Sequence, residues 1–366
     1  MARTLVGLDI GSSGLRAAEF VLGRRKATLR KFASVALPQG VVRAGVVVDP
    51  DALTEALKEL WSEGKFGTKT VALGIANTSV LVRQMDLDWM PAADFRKALR
   101  YQVEDAVPIP VDDANLDYHL LEEVEVAGED EEPRKIARVL LVAAAREMVD
   151  GFVEATHRAG LRTVSVDIVP FALIRATAPA VAAPGEEDVP TEAIVDIGAD
   201  TVTVVVHEGG QPRYVRMVPN LGGDVITEAV RQRYDWTWDE AERTKVVVGL
   251  PGHSSLKPEG ERADGLEHPA QQVIASEVES LVSEIVTTLH YIRGADADTP
   301  SLSRVLLAGS GAMLGGLGEM LERRLEIPVV PLTFLDRVKT PRRLRLDEAD
   351  ERALVIPAGL CLGAAR

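Results

Sequence analysis

The stretch Leu5-Val6-Gly7-Leu8-Asp9-Ile10-Gly11-Ser12-Ser13-Gly14-Leu15-Arg16-Ala17-Ala18-Glu19-Phe20 reads as a strand, a turn of small residues and a second strand. Apolar residues run up to Asp9, Gly and Ser occupy the turn, and an alternating segment leaves it. A carboxylate at the end of a buried strand is costly unless a metal ion or a bonded water uses it. The Gly11–Gly14 turn carries little side chain. Its backbone N–H groups and the hydroxyls of Ser12 and Ser13 can therefore approach a phosphate. Taken alone, the same residues also read as a polar hairpin turn beside a structural Asp.

The pattern returns in the second half of the chain. Ala193-Ile194-Val195-Asp196-Ile197-Gly198-Ala199-Asp200-Thr201, followed by Val202–Val206, repeats the apolar strand, the Asp-Ile-Gly, the small polar turn and the alternating strand. This is an imperfect internal duplication. Two facing turns of this kind can grip a polyphosphate from opposite sides. Asp9 and Asp196 would then face each other across a Mg²⁺ held largely through water. A third part is Leu307-Ala308-Gly309-Ser310-Gly311-Ala312-Met313, a strand-to-helix turn whose small residues let the backbone lie close to a base or its ribose. A fourth is Ala241-Glu242-Arg243-Thr244-Lys245, which places Glu242 and Lys245 on one helical face. That pair can accept from and donate to ribose hydroxyls, and it reads equally as an exposed ion pair of small worth. Asn220-Leu221-Gly222-Gly223-Asp224 leads into a helix and adds Gly222 and Gly223 to the candidate cofactor residues.

Composition narrows the class. A chain of 366 residues exceeds the usual single-core size, so at least two domains are expected. The formal net charge of −15 argues against non-specific nucleic-acid binding and against strong attachment to anionic lipid. Cys361 is the only cysteine, which excludes an internal disulfide and a cysteine-based metal site. Neither a signal-peptide pattern nor an apolar run long enough to span a bilayer is present, and a cytoplasmic protein is expected.

Between these landmarks the chain alternates strands and helices. Lys26–Ala36 continues the opening hairpin as a strand. Asp49 is the N-cap of a helix over Ala52–Ser62, with Pro50 in its first turn. Val71–Ile75 is a buried strand, and Val80–Leu87 is expected beside it. A helix runs from Pro91 to about Val107, with Phe95, Leu99 and Val103 on its apolar face. Leu116–Val126 and Ile136–Ala144 are strands around a solvated loop at 128–133, and a helix through Met148–Ala159 stops at Gly160. The span 84–163 therefore reads as an α+β module set inside a first lobe made of 1–83 and 164–185. A linker is expected at 178–191, and a polar loop at 251–269. The second lobe takes 186–366, with 231–300 as its helical part and a long helix over Ala270–Arg293. The apolar helix at Ala349–Ala365 is expected to pack into this second domain.

Taken together, the order and separation of these motifs resemble the actin-like ATPase superfamily. In that resemblance Asp9–Arg16, with Gly11, Ser12, Ser13 and Arg16, is the first phosphate motif. Asp196–Thr201, with Gly198, Ala199, Asp200 and Thr201, is the second. Glu242 with Lys245 is the ribose side, and Ala308–Met313, with Gly309, Ser310, Gly311 and Met313, is the adenosine motif. The resemblance implies an α/β, two-lobed actin-like ATPase fold that binds ATP and Mg²⁺ in its cleft. The placement of the inserted module is similar to the FtsA/PilM branch. Leu99–Pro110, Leu116-Asp117-Tyr118, Val139–Ala145, Ala159-Gly160-Leu161 and Val166-Asp167-Ile168 with Phe171-Ala172-Leu173 resemble PilM-type pilus-assembly proteins.

That resemblance implies a cytoplasmic scaffold of a type IV pilus or related secretion complex, peripheral to the inner membrane. Its implied partner is the short cytoplasmic tail of a PilN-like single-span membrane protein, held in a groove of lobe one. A pilus motor ATPase and self-association are further implied partners. Nucleic acid and direct membrane insertion are not implied. No basic amphipathic tail is read at Ala364-Ala365-Arg366, a departure from FtsA that favours the PilM expectation. Val169-Pro170 stands where heat-shock ATPases carry Glu before Pro near the attacking water. ATP binding is thus better supported than turnover, and no catalytic residue is assigned. An FtsA-like filament protein and an actively hydrolysing ATPase or kinase are the alternatives.

Overall fold

The computed structural model describes residues 3–23, 26–127, 133–177, 189–251, 268–295 and 301–364. The first half holds β1 (Arg3–Ile10), β2 (Gly14–Leu22), β3 (Ala27–Ala36), β4 (Val42–Arg43), β5 (Val46–Val47), α1 (Pro50–Gly64) and β6 (Thr70–Ile75). Next come β7 (Leu81–Asp88), α2 (Ala92–Gln102), β8 (Ala114–Ala127), β9 (Pro133–Ala145), α3 (Arg146–Arg158), β10 (Arg162–Ile168) and α4 (Val169–Thr177). The second half holds β11 (Thr191–Ile197), β12 (Thr201–Glu208), β13 (Gln211–Pro219), α5 (Gly223–Tyr234), α6 (Trp238–Val248) and α7 (Ala270–Ala295). The chain then closes with β14 (Arg304–Ala308), α8 (Leu317–Leu325), β15 (Val329–Pro331), β16 (Val338–Lys339), α9 (Glu348–Ala353) and α10 (Val355–Gly363).

The duplication read from the two Asp-Ile-Gly stretches is a duplication of sheets. In the first, the strand order is β10-β6-β1-β2-β3-β16; in the second it is β13-β12-β11-β14-β15. Each begins with an antiparallel meander, β1-β2-β3 or β11-β12-β13. Each then adds a parallel strand on the other side of its first strand, β6 beside β1 and β14 beside β11. The first strands are central and covered on both faces, which is why they read as apolar runs rather than alternating ones. Every residue of β11 is buried.

Asp49 caps α1 as expected, its carboxylate accepting from the N–H groups of Asp51 and Ala52. Between the two sheets lie α4 and α10. Leu5 and Phe20 of the first sheet, Ile194, Val205 and Leu306 of the second, and Leu173, Val355 and Ala358 of the two helices form one cluster. Contrary to the expectation that it packs into the second domain, the tail helix lies between both sheets. It breaks at Leu354, and α10 lies against β1, with the Pro357 carbonyl where a side chain on Gly7 would stand. A helix that is apolar all round must be covered all round, and only the space between two sheets provides that.

The inserted module also differs from its expected outline. Leu81–Asp88 does not lie beside Val71–Ile75. It pairs antiparallel with β9 in a separate sheet ordered β7-β9-β8. Its mixed exposure suits a sheet with one wet face. On the dry face, Phe95 and Leu99 of α2 meet Val139 and Leu141 of β9. That helix stops at Gln102, short of Val107, and the residues up to Pro108 form turns. The α3 helix, expected within the insert, packs Phe152 and Ala155 with Leu53 and Leu57 of α1 in the core of the first sheet. The linker and polar loop expected at 178–191 and 251–269, and the loop at 128–133, lie largely outside the described residues.

Candidate functional site

The central strands β1 and β11 end at the same chemistry. Asp9 and Asp196 are 6% and 8% exposed. Each is followed by a turn closed by one backbone bond: Gly11 N–H to Gly14 O at 3.0 Å, and Gly198 N–H to Thr201 O at 3.0 Å. The turns face one cavity of about 390 Å³. Burial drives both carboxyl pKa values up, and Asp196 reaches about 7. The charge of Asp9 adds to the rise at Asp196, and Arg16 offsets part of it. Arg16 itself donates to Asp9 Oδ2 at 3.4 Å. Two desolvated oxygen donors, with one guanidinium on Asp9, fit a hard divalent ion such as Mg²⁺. Among the described residues no group of three metal-ligating side chains exists, so the remaining ligands of such an ion would be water and phosphate.

The cavity brings together most of the expected residues. Asp9, Gly11, Ser12, Ser13, Arg16, Asp196, Gly198, Ala199, Asp200, Thr201, Gly309, Ser310 and Met313 line it. Gly309 ends β14 with φ +82, and a Cβ there would stand 2.3 Å from the Ile197 carbonyl oxygen and 2.7 Å from Asp196 Oδ1. Only Gly allows this turn to lie against the second phosphate turn.

Gly222, Gly223, Gly311, Glu242 and Lys245 are absent from the lining. Gly223 N–H donates to Gly198 O at 3.0 Å and Asp224 N–H to Ala199 O at 2.7 Å, so this segment braces the second turn from behind. Asp224 is pushed up to about 6, chiefly by burial, with Lys245 opposing the rise. Lys245 is buried and not the exposed partner of an ion pair. Its ammonium donates to Gly223 O at 3.0 Å, Thr227 Oγ1 at 2.8 Å and Glu242 Oε2 at 2.6 Å. Two of its three donors therefore tie α6 to the start of α5, and the third holds Glu242 of its own helix.

Sequence reasoning missed two further sides of the cavity. One is the β4–β5 hairpin, from which Val42 and Gly45 enter the lining. Its tip crosses to the second lobe: Ala44 N–H donates to Asp200 Oδ2 at 2.6 Å. Buried Asn77 holds that tip from below, donating to Ala44 O at 2.7 Å and Gly45 O at 3.2 Å. The other is 349–356, including Arg352, which donates to Glu348 at 2.8 Å. The Asp347 and Asp350 capping box marks the start of α9, and Pro357, which has no N–H to donate one turn back, is the sequence signal that the tail does not run as one helix.

A second, larger cavity of about 580 Å³ lies where the insert meets the first sheet. Asn115–His119 of β8 form one wall, and Val166–Ile168 with Phe171 and Arg175 form the other. Arg175 is ion-paired with Asp167, whose pKa burial nevertheless holds above the usual carboxylate range.

Comparison with known proteins places these features. A solved PilM–PilN type IV pilus biogenesis complex matches at 25% identity and a TM-score of 0.80, over 99% of this chain and 98% of that one. The ethanolamine utilization protein EutJ of Carboxydothermus hydrogenoformans shares the fold at 17% identity and a TM-score of 0.55, over 99% and 90% of the two chains. MreB5 of Spiroplasma citri, solved with ADP, shares it at 13% identity and a TM-score of 0.50, over 98% and 95%. The cell division protein FtsA of Bacillus subtilis is 23% identical over 266 residues, 67% of this chain and 58% of that protein. The fold is that of the actin-like ATPases. The family model for the type IV pilus assembly protein PilM matches residues 7–364, and the chain belongs to that family.

Proposed function

We propose that this chain is a nucleotide-binding scaffold of a type IV pilus assembly complex, and that it holds the tail of a PilN-like membrane protein. One observation carries the nucleotide half: two equivalent Asp-Ile-Gly turns, from the centres of two related sheets, face one cavity beside the Gly309 turn. Gly11–Ser13 and Gly198–Thr201 would hold the phosphates, with Asp9 and Asp196 on a Mg²⁺ through water. The ion would supply the positive charge that two carboxylates and a polyphosphate lack. Ser310 and Met313 would face the nucleoside. Val169 occupies the cavity wall at the start of α4, where its side chain offers no polar atom to a water. Binding therefore acts by shifting the balance of lobe arrangements rather than by rapid turnover.

The partner half draws on the PilM–PilN complex as a relative and on the larger cavity. A groove lined by both apolar and polar side chains, with Asp117, Asp167 and Arg175 along it, suits an extended peptide carrying both apolar and polar side chains. No helix among the described residues is long and apolar enough to cross a membrane, and the partner's own span would supply the anchor.

Isothermal titration tests both halves. ATP with Mg²⁺ should bind the intact chain and fail with Asp9→Asn. A synthetic peptide of the partner's N-terminal tail should bind the parent chain and weaken when Phe171 is replaced by Asp. No heat with nucleotide in the parent would end the first half. Filaments formed with ATP alone on lipid would favour the FtsA-like alternative.

A further inference from the structure

The chain carries a formal net charge of −15, yet one exposed strip runs the other way. From Arg337 to Arg345 there are five basic residues, Arg337, Lys339, Arg342, Arg343 and Arg345, and no acid. The strip begins with β16 at the edge of the first sheet. There Val338 pairs beside Ala27 and Lys339 beside Thr28. Val338 and Ala27 are buried, so Lys339 is turned outward. Lys26 reaches the same edge and donates to the Asp336 carbonyl at 2.6 Å, and Arg30 further along β3 is exposed. After β16 the chain turns at Pro341, where Leu344 N–H donates to Pro341 O at 2.8 Å. That turn puts Arg342 and Arg343 at its exposed tip. Leu344 and Leu346 pack inward on the cluster between the sheets, which leaves Arg345 facing out between them.

Five of these cations are unneutralised. Elsewhere on the surface Arg134, Arg138, Arg213 and Arg324 each hold an acid. Among the described residues Arg30, Lys339, Arg342, Arg343 and Arg345 make no ion pair. The nearest acids in sequence are otherwise placed: Asp347 caps α9 and Glu348 holds Arg352. Asp336, exposed at the other end, is the single acid bordering the strip there.

We propose that this strip docks on the surface of a bilayer containing anionic phospholipid. The chemistry is complementary: guanidinium groups and one ammonium, unpaired and outward, meet phosphate headgroups. The acidic remainder of the chain does not cancel the contact, because salt screens charges beyond about 8 Å. The overall charge instead confines adhesion to this one edge and so fixes an orientation. Continuity supports the same occupant. Arg337, the first residue of the strip, lines the larger cavity proposed above for the partner's tail. Strip and groove would then face the membrane from which that tail emerges. In this respect the inference rests on the proposed function.

Flotation of the full chain with vesicles tests it. At about 0.15 M NaCl the chain should float with vesicles of equal parts phosphatidylglycerol and phosphatidylcholine, stay behind with phosphatidylcholine alone, and be released by about 0.5 M NaCl. Combining Arg342→Glu, Arg343→Glu and Arg345→Glu should lower partition about 100-fold or more, at about fivefold per basic residue. All three residues are exposed, so the variant should melt with the parent. Equal partition onto both vesicle types, no partition at all, or an unchanged variant overturns the proposal. Salt-sensitive binding to polyglutamate without binding to vesicles also overturns it, and assigns the strip to an acidic protein segment. Titration of the same variant with the partner's tail peptide separates the two readings. Peptide binding kept while vesicle binding is lost is the expected result. Peptide binding absent from the parent as well removes the proposed tail site, and the vesicle result then stands alone.

Discussion

Replacing Asp196 by Asn should make the ligand-free protein more stable and Mg²⁺–nucleotide harder to hold. Burial first, and the neighbouring Asp9 charge second, push this carboxyl up to about 7. In an unfolded chain an Asp titrates near ~3.9. The folded protein therefore binds the proton more tightly than the unfolded one. Below about pH 4 the group is protonated in both states and costs nothing. As pH rises through that value the unfolded state gains by ionising, and the penalty on the fold grows until it is complete above about 7. Three pKa units at about 1.4 kcal/mol each set a ceiling of ~4 kcal/mol at pH 8, falling below ~2 kcal/mol at pH 5. Asn keeps the shape and cannot ionise, and the desolvation of its own amide trims the gain. Urea unfolding at the two pH values measures it. The variant should exceed the parent most at pH 8, and the advantage should shrink at pH 5. Adding Mg²⁺ and ATP should reverse the order, because the parent gains the ligand and the variant does not. A variant no more stable than the parent at pH 8, or stabilised equally at both pH values, refutes the reasoning.

Gly309→Ala forces a side chain into the left-handed region and against the Ile197 carbonyl; urea unfolding should show a loss of more than about 2 kcal/mol, with nucleotide binding abolished in titration. Lys245→Met keeps the apolar stem and deletes two buried hydrogen bonds and one part-buried one, so stability should fall by about 2–4 kcal/mol. A larger loss in ATP affinity than in stability would instead put that ammonium on the ligand. Asp200→Ala removes the acceptor that clasps Ala44 across the cleft. Amide exchange over residues 41–47 should quicken and small-angle scattering should report a wider particle, whereas Asp200→Asn, which keeps an acceptor, should stay close to the parent.

Much of the site was legible because its grammar is local. A buried strand ending in Asp, then Gly and small polar residues, announces a backbone that must approach something, and the second copy at Asp196 removes the reading of a chance hairpin. Gly309 was legible for the same reason. Lys245 and Glu242 were read only in part. Helical spacing puts them on one face, but whether that face meets ligand, water or another helix depends on α5, whose Thr227 and Gly223 carbonyl claim the ammonium. The clasp from Ala44 to Asp200 joins residues 156 apart in sequence and left no local trace.

Two related sheet-and-helix units, the strand ends that carry the paired carboxylates, and an α+β insertion inside the first unit are legible in the residues alone. Those follow from periodicity and turn chemistry, which act over a few residues. Tertiary structure alone decided where Leu81–Asp88 pairs, that α3 packs on the first core rather than in the insert, and that α10 lies between both sheets. An apolar face states that it must be covered, but every apolar surface of suitable shape satisfies it equally, because burial is non-directional. The choice of cover, and with it the walls of both cavities, is made only when all the elements pack at once.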